Sequence, residues 1–142
     1  MAYRYFAFFL TWLFSVTLSA QSASPLGRWK TIDDDTGKTR SIINIYERDG
    51  RLFGDVAEII DGDRNARCAT CEGREHNRPV LGLTIIKNLK QDGDEWNGGT
   101  VFDPEKGARY RLSIWIEEDP NVLYVRGKHW TGLYRTQTWL RE

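Results

Sequence analysis

The residues with the clearest chemical potential are two cysteines and a histidine in one polar stretch of the chain. Cys68 and Cys71 are separated by two residues, and His76 follows in the same stretch. A Cys-x-x-Cys pair can close a structural disulfide, act as a redox couple, or supply thiolates to a metal that an imidazole helps to bind. The residue types alone leave these three alternatives open.

The surrounding stretch weakens two of the alternatives. Residues 61–79 form a segment of about 19 residues that is rich in glycine and charge, longer than most loops, and without a βαβ context. A redox pair usually begins a helix that lowers the pKa of its nucleophilic thiol. Two cysteines and one histidine are also one ligand short of a closed zinc site. Our leading prediction is a disulfide between Cys68 and Cys71, with no metal or cofactor.

A second candidate region is the aromatic- and glycine-rich segment around residues 127–136. Aromatic side chains beside a few charged groups are typical of sites for small molecules, and the local arginines favour an anionic group. The alternative is a hairpin with solvated charges, together with aromatic residues that fill the core. The predicted ligand-binding residues are Trp96, Arg126, Trp130, Tyr134 and Arg135.

The chain has no motif of a familiar catalytic centre. It lacks Gly-x-Ser-x-Gly, His-Glu-x-x-His and a phosphate-binding glycine loop. The run Asp33-Asp34-Asp35 lacks the alternating ligands and distal glutamate of a calcium loop, and it reads as a solvated turn. We therefore expect a protein that is not an enzyme.

The first 20 residues have the pattern of a signal peptide. Arg4 gives a basic start, residues 6–18 are largely apolar, and Leu18-Ser19-Ala20 offers small residues for cleavage. The apolar run is about 13 residues, short of the roughly 20 that cross a membrane. We predict a signal peptide at residues 1–20 and one mature domain at residues 21–142. The mature protein would be periplasmic or secreted, without a membrane span.

The charge balance argues against nucleic acid as a partner. The chain carries 20 basic and 20 acidic side chains, and Arg4 is the only charge in the first 20 residues. Removal of that segment leaves 19 basic against 20 acidic side chains, with the signs interspersed. No basic stripe is available to bind a phosphate backbone.

Strand and turn signals alternate along the rest of the sequence. Short connections between consecutive strands favour an antiparallel meander, and closure removes its two exposed edges. We predict an all-β, up-and-down antiparallel barrel of about eight strands, of lipocalin or calycin type. The strands are expected at residues 28–32, 41–47, 52–60, 83–89, 95–102, 108–116, 122–129 and 136–141.

The two ends of the mature chain indicate how the barrel closes. Trp29 opens the first strand, and Trp139 and Arg141 end the last. In a closed barrel these strands are neighbours, so the Arg141 guanidinium can lie on the Trp29 ring. We assign structural roles to Trp29, Trp139 and Arg141. Trp115 breaks the alternation of its strand and faces the side of Arg109 and Arg111, which makes it a candidate contact surface.

These segments resemble the small exported bacterial proteins grouped as domain-of-unknown-function family 2147. The resemblance covers residues 25–142 and implies a periplasmic or secreted, lipocalin-like barrel, without an assigned activity or catalytic residues. It is carried by GRWKTIDDDTGK (27–38), SIINIY (41–46), LFG (52–54), Cys68-x-x-Cys71, PVLGL (79–83), WNGGTVFDPEKG (96–107), VRG (125–127) and RTQTWLR (135–141).

The expected function is non-catalytic binding of a small, partly apolar or anionic ligand, or of an envelope component, at the barrel mouth. One alternative is a protein-interaction module of the envelope that uses Trp115 and the neighbouring arginines. Another is a thiol or metal site on the Cys68–Cys71 loop.

Overall fold

The computed structural model describes residues 23–142, so the predicted signal peptide lies outside the described residues. Eight strands and one short 3-10 helix, Gly73–Glu75, follow one another along the chain. The strands are β1 (Gly27–Ile32), β2 (Thr39–Arg48), β3 (Arg51–Ile59), β4 (Thr84–Asp92), β5 (Glu95–Asp103), β6 (Ala108–Trp115), β7 (Val122–Lys128) and β8 (Tyr134–Arg141).

Each strand pairs with the next in antiparallel fashion, and β1 pairs with β8 to close the barrel. The closing pair is short: Trp29 lies opposite Arg141, and Lys30 lies opposite Leu140. The predicted fold class is confirmed. The largest boundary difference is in β4, which ends at Asp92 rather than at residue 89. β8 begins at Tyr134 rather than at residue 136, which brings Arg135 into the sheet.

Two local features shape the sheet. Asp49 and Gly50 both have positive φ (52° and 73°) in the tight turn between β2 and β3, as a type I′ hairpin requires. Gly99 lies where β4 and β5 approach closely, because a Cβ atom there would be 2.2 Å from the carbonyl oxygen of Lys87. Any larger residue at position 99 would separate the two backbones.

The hydrophobic core occupies the interior of the barrel. Strand alternation points one side chain in two inward, and the buried cluster joins residues of seven strands with the two cysteines. The remaining strand, β5, packs partly buried side chains against this cluster. Its members with no solvent exposure are Trp29, Cys68, Ile86, Leu89, Ile114 and Leu123.

We call the end that holds the chain termini, with the β2–β3, β4–β5 and β6–β7 connections, the closed end. Trp29 is fully buried there, and its indole N–H donates to the Pro25 carbonyl oxygen at 2.8 Å. The Arg141 guanidinium lies 4.2 Å from the centre of the Trp29 ring, as the sequence predicted. It also donates to the carbonyl oxygens of Ser24, Leu26 and Pro120. These contacts bind the first and last strands to each other.

Candidate functional site

The opposite end of the barrel, which we call the open end, carries the other four connections. They are the β1–β2 turn, the long β3–β4 loop, the β5–β6 turn and the β7–β8 turn. Two cavities of about 310 Å³ and 580 Å³ open there. They share five lining residues, so they adjoin: Val101, Asp103, Lys106, Arg135 and Gln137.

The smaller cavity has an apolar wall and a polar rim. Trp139, Val125 and Leu133 contribute apolar surface, and Lys106 and His129 contribute positive or polar groups. Such a mixture fixes the orientation of a small molecule while its apolar part is removed from water. The larger cavity is lined mainly by the charged turns of the rim.

Strand alternation places the β8 residues of this site. Trp139 is buried opposite Leu123, so positions two and four residues earlier also point inward. Gln137 and Arg135 occupy these positions, and Arg135 lies opposite Gly127, where a Cβ atom would contact the Tyr110 side chain at 3.4 Å. The inner face of β8 thus changes from apolar to cationic toward the open end.

A carboxylate from the β1–β2 turn reaches this cationic position. Oδ2 of Asp34 accepts hydrogen bonds from Arg135 Nε at 2.8 Å and from Gln137 Nε2 at 3.3 Å, and it also contacts Arg135 Nη2. These bonds connect the β1–β2 turn to β8 across the rim.

The neighbouring Asp33 serves the turn itself. Its carboxylate accepts hydrogen bonds from the backbone N–H groups of Thr36 at 2.8 Å and Asp35 at 3.0 Å, and from the Thr36 hydroxyl. The bonds from Thr36 lower the pKa of the Asp33 carboxyl. Arg40 then bridges Asp33 to Glu105 on the β5–β6 turn. The acidic run at residues 33–35 is therefore a hydrogen-bonded turn, as expected.

Cys68 and Cys71 form a disulfide with an S–S distance of 2.03 Å, which is the first of the three alternatives. Both residues are buried in the core cluster. Nδ1 of His76 lies 2.9 Å from the carbonyl oxygen of Cys71, so this histidine orders the loop. Thr70 donates to the carbonyl oxygen of Pro104 at 2.7 Å and so fixes the loop to the β5–β6 turn. The long loop is an ordered part of the rim.

Within residues 23–142, no three histidine, cysteine or acidic side chains gather in a way that could hold a metal ion. The same residues include no helix that is both long and apolar enough to cross a membrane.

The structure brings two of the five predicted ligand-binding residues to the cavity. Tyr134 and Arg135 line the smaller cavity. Trp96 packs against the core instead, and Trp130 is 83% exposed on the β7–β8 turn beside His129. Arg126 is exposed on the outer face of β7. Four further residues of the site are absent from the predicted set: Asp34, Lys106, His129 and Gln137.

Arg126 belongs to an outer strip of stacked side chains on β6, β7 and β8. Trp115 and Tyr124 stack with ring centres 5.5 Å apart. The Arg126 guanidinium lies 4.9 Å from the centre of the Trp115 ring and 4.8 Å from that of Tyr134. We call Trp115, Tyr124, Arg126 and Tyr134 the outer strip. Tyr134, the first residue of β8, also lines the smaller cavity. Trp115 thus faces outward, as the broken alternation of its strand indicated.

A closed eight-stranded antiparallel barrel with one open end is the architecture of the lipocalin type. Consistent with this, the chain is similar to a solved structure from Helicobacter pylori, protein HP1028, which is described as belonging to the lipocalin family. The two structures superimpose with a TM-score of 0.72 over 84% of each chain. Identity is 18%, so this likeness concerns the fold alone.

The chain belongs to the bacterial family described as "Uncharacterized protein conserved in bacteria (DUF2147)", whose model matches residues 27–141. No curated protein matches the sequence.

Proposed function

We propose that this protein binds a small, partly apolar molecule in the open end of the barrel, without catalysis, after export to the periplasm or the medium. The observation that carries the proposal is the pair of adjoining cavities at that end, of about 310 Å³ and 580 Å³. Sites for small molecules typically have volumes of about 300–1,000 Å³. A lipocalin-like barrel is compatible with such binding.

The distribution of polar groups supports binding rather than chemistry. Three carboxylates of the rim are engaged in structural contacts: Asp33 caps a turn, Asp34 pairs with Arg135, and Glu105 pairs with Arg40. The apolar wall of the smaller cavity lies next to these groups. A ligand with an apolar body and a polar end fits this arrangement.

Native mass spectrometry of protein isolated from its own source tests the proposal. We expect an additional mass on the wild-type chain. Val101 lines both cavities and Thr100 precedes it on β5, so a bulky Val101→Trp side chain would block the site and Thr100→Trp is the matched control. The added mass should persist in T100W and be absent from V101W.

Thermal unfolding verifies that both variants are folded. A wild-type chain without any added mass would reject the proposal. So would an added mass that remains on folded V101W.

A second candidate function, a protein-interaction module of the envelope, is favoured by the outer strip. Its stacked rings hold Arg126 in place on an exposed surface. Aromatic residues and arginine are enriched in protein interfaces, and a preorganised arginine favours an acidic residue on the partner.

Site-specific crosslinking from Thr138, which lies opposite Tyr124 on the same surface, tests this candidate in intact cells. A specific partner should be captured by the wild-type chain and lost in Arg126→Glu. Arg48→Glu is the matched control, because Arg48 also stacks on an aromatic ring, that of Phe53 at 4.3 Å. Equal capture by both variants, or no capture at all, would reject the candidate.

A further inference from the structure

We infer that Arg135 and Gln137 form a receptor for the carboxylate of an acidic amphiphile, and that Asp34 of the same chain occupies this receptor until the ligand displaces it. This inference rests on the proposed binding function and specifies the chemical class of the ligand. The juxtaposition that carries it is a cationic and amide pair on the inner face of β8, bonded to a carboxylate and directly beside an apolar cavity.

The geometry of the Asp34 contact marks it as a replaceable occupant. All three contacts from Arg135 and Gln137 fall on one oxygen, Oδ2. An arginine fork binds a carboxylate best when two parallel hydrogen bonds engage both oxygens. A carboxylate that is free of the β1–β2 turn can adopt this arrangement, so a ligand gains contacts that Asp34 does not make.

The solvent exposure of the Asp34–Arg135 ion pair also indicates that a ligand can displace Asp34. The side chains of Arg135 and Asp34 are 58% and 37% exposed, so water can solvate Asp34 after it leaves. Exposed ion pairs contribute little free energy, so replacement of Asp34 by a ligand carboxylate requires little free energy. The β1–β2 turn does not depend on Asp34, because its hydrogen bonds are made by Asp33.

The rest of the ligand can lie along the apolar wall. Trp139 and Val125 continue the inner face below Arg135, within the cavity of about 310 Å³. The other charged groups that line this cavity are Lys106, which adds positive charge, and Asp103, which accepts backbone hydrogen bonds from its own turn. A medium-length chain with one carboxylate matches both the shape and the charge.

Calorimetric titration with decanoate and with 1-decanol tests the inference, because the two probes share a chain length and differ in the carboxylate. Asp34→Asn should tighten decanoate binding about two- to five-fold, the amount expected when a weak internal ion pair no longer competes. Arg135→Gln should weaken decanoate binding about ten-fold or more. Neither variant should change the affinity for decanol. Asp35→Asn is the matched control for the loss of one acidic charge from the same turn.

The results distinguish the inference from the proposed function. Equal decanoate affinity in wild type and R135Q, or tightening by D35N equal to that by D34N, would overturn the inference and leave the cavity as a binding site. Decanoate binding that is undetectable even in D34N would also overturn the inference. The mass-spectrometric comparison of V101W with T100W tests the cavity without reference to a carboxylate.

Discussion

The two ends of the barrel use tryptophan and arginine in opposite ways. At the closed end Trp29 is fully buried, and Arg141 donates to backbone carbonyl oxygens of two neighbouring segments. At the open end Trp130 is 83% exposed, and Arg135 binds a side-chain carboxylate. Backbone acceptors are fixed parts of the fold, whereas a side chain can leave. The same residue types therefore stabilise one end and remain exchangeable at the other.

The largest expected effect tests the burial of the two tryptophans. Trp29→Ala removes a fully buried indole and its hydrogen bond to Pro25, so we expect a loss of roughly 3–5 kcal/mol in the free energy of unfolding. Trp130→Ala makes the same change at the open end and should cost less than about 0.5 kcal/mol. Urea titration measures both. A loss below about 1 kcal/mol for Trp29→Ala would contradict the assignment of stability to the closed end.

The two arginines allow the same comparison for polar contacts. Arg141→Ala should cost roughly 2–3 kcal/mol, because it removes charge-assisted bonds to three carbonyl oxygens and the cation–π contact with Trp29. Arg135→Ala should cost less than about 1 kcal/mol, because its ion pair with Asp34 is largely exposed. Chemical denaturation of both variants at one pH gives the comparison. Equal losses would remove the distinction between fixed and exchangeable contacts.

The disulfide tests whether the open end has a stable part of its own. Replacement of both cysteines by serine should cost roughly 2 kcal/mol by the chain-entropy estimate for a loop of about four residues. The loop should also become sensitive to limited proteolysis while the strands stay protected, since Cys68 and Cys71 fix the loop to the core. Fragment masses identify the cleavage site. Protease resistance of the loop in the serine variant would show that Thr70 and its other rim contacts suffice.

The closed end was predictable from the sequence, because strand adjacency in a closed meander brings Trp29 to Arg141 whatever the loops do. The open end was predictable only where a strand supplies the residue. Side chains alternate along β8, so Gln137 and Arg135, two and four residues before the buried Trp139, lie on the inner face of the barrel. Trp96, Trp130 and Arg126 were chosen for their residue type without such a count, and they lie on the core, on a turn and on the outer face.

The remaining site residues come from connections rather than strands. Asp34 and Lys106 lie on turns, and His129 follows the end of β7. Their positions depend on how separate turns meet at the rim, for example through the ion pairs that Arg40 makes with Asp33 and Glu105. Such tertiary contacts leave no periodic signal in a single sequence.

The smallest expected effect is a difference between the two ends in how acid lowers the stability of the fold. The side-chain hydrogen bond from Arg28 lowers the pKa of Glu142 at the closed end, and the bonds from Thr36 lower the pKa of Asp33 at the open end. A carboxyl whose pKa is lower in the folded state stabilises the fold above its unfolded value and loses this contribution as the pH falls through the folded value. The losses should therefore begin below the ordinary values of 4.5 for Glu142 and 3.8 for Asp33.

Urea midpoints measured from pH 6 to pH 2.5 separate the two contributions. Glu142→Gln should flatten the upper part of the acid decline and Asp33→Asn the lower part, whereas Glu118→Gln, an exposed control at the closed end, should leave the profile unchanged. Because Glu142 pairs with Arg28 of β1, its protonation weakens a link between the chain ends, whereas protonation of Asp33 loosens one turn of the rim. Acid should thus weaken the link between the chain ends first and loosen the rim turn only at lower pH. Superimposable profiles for E142Q and wild type would refute the link between the chain ends.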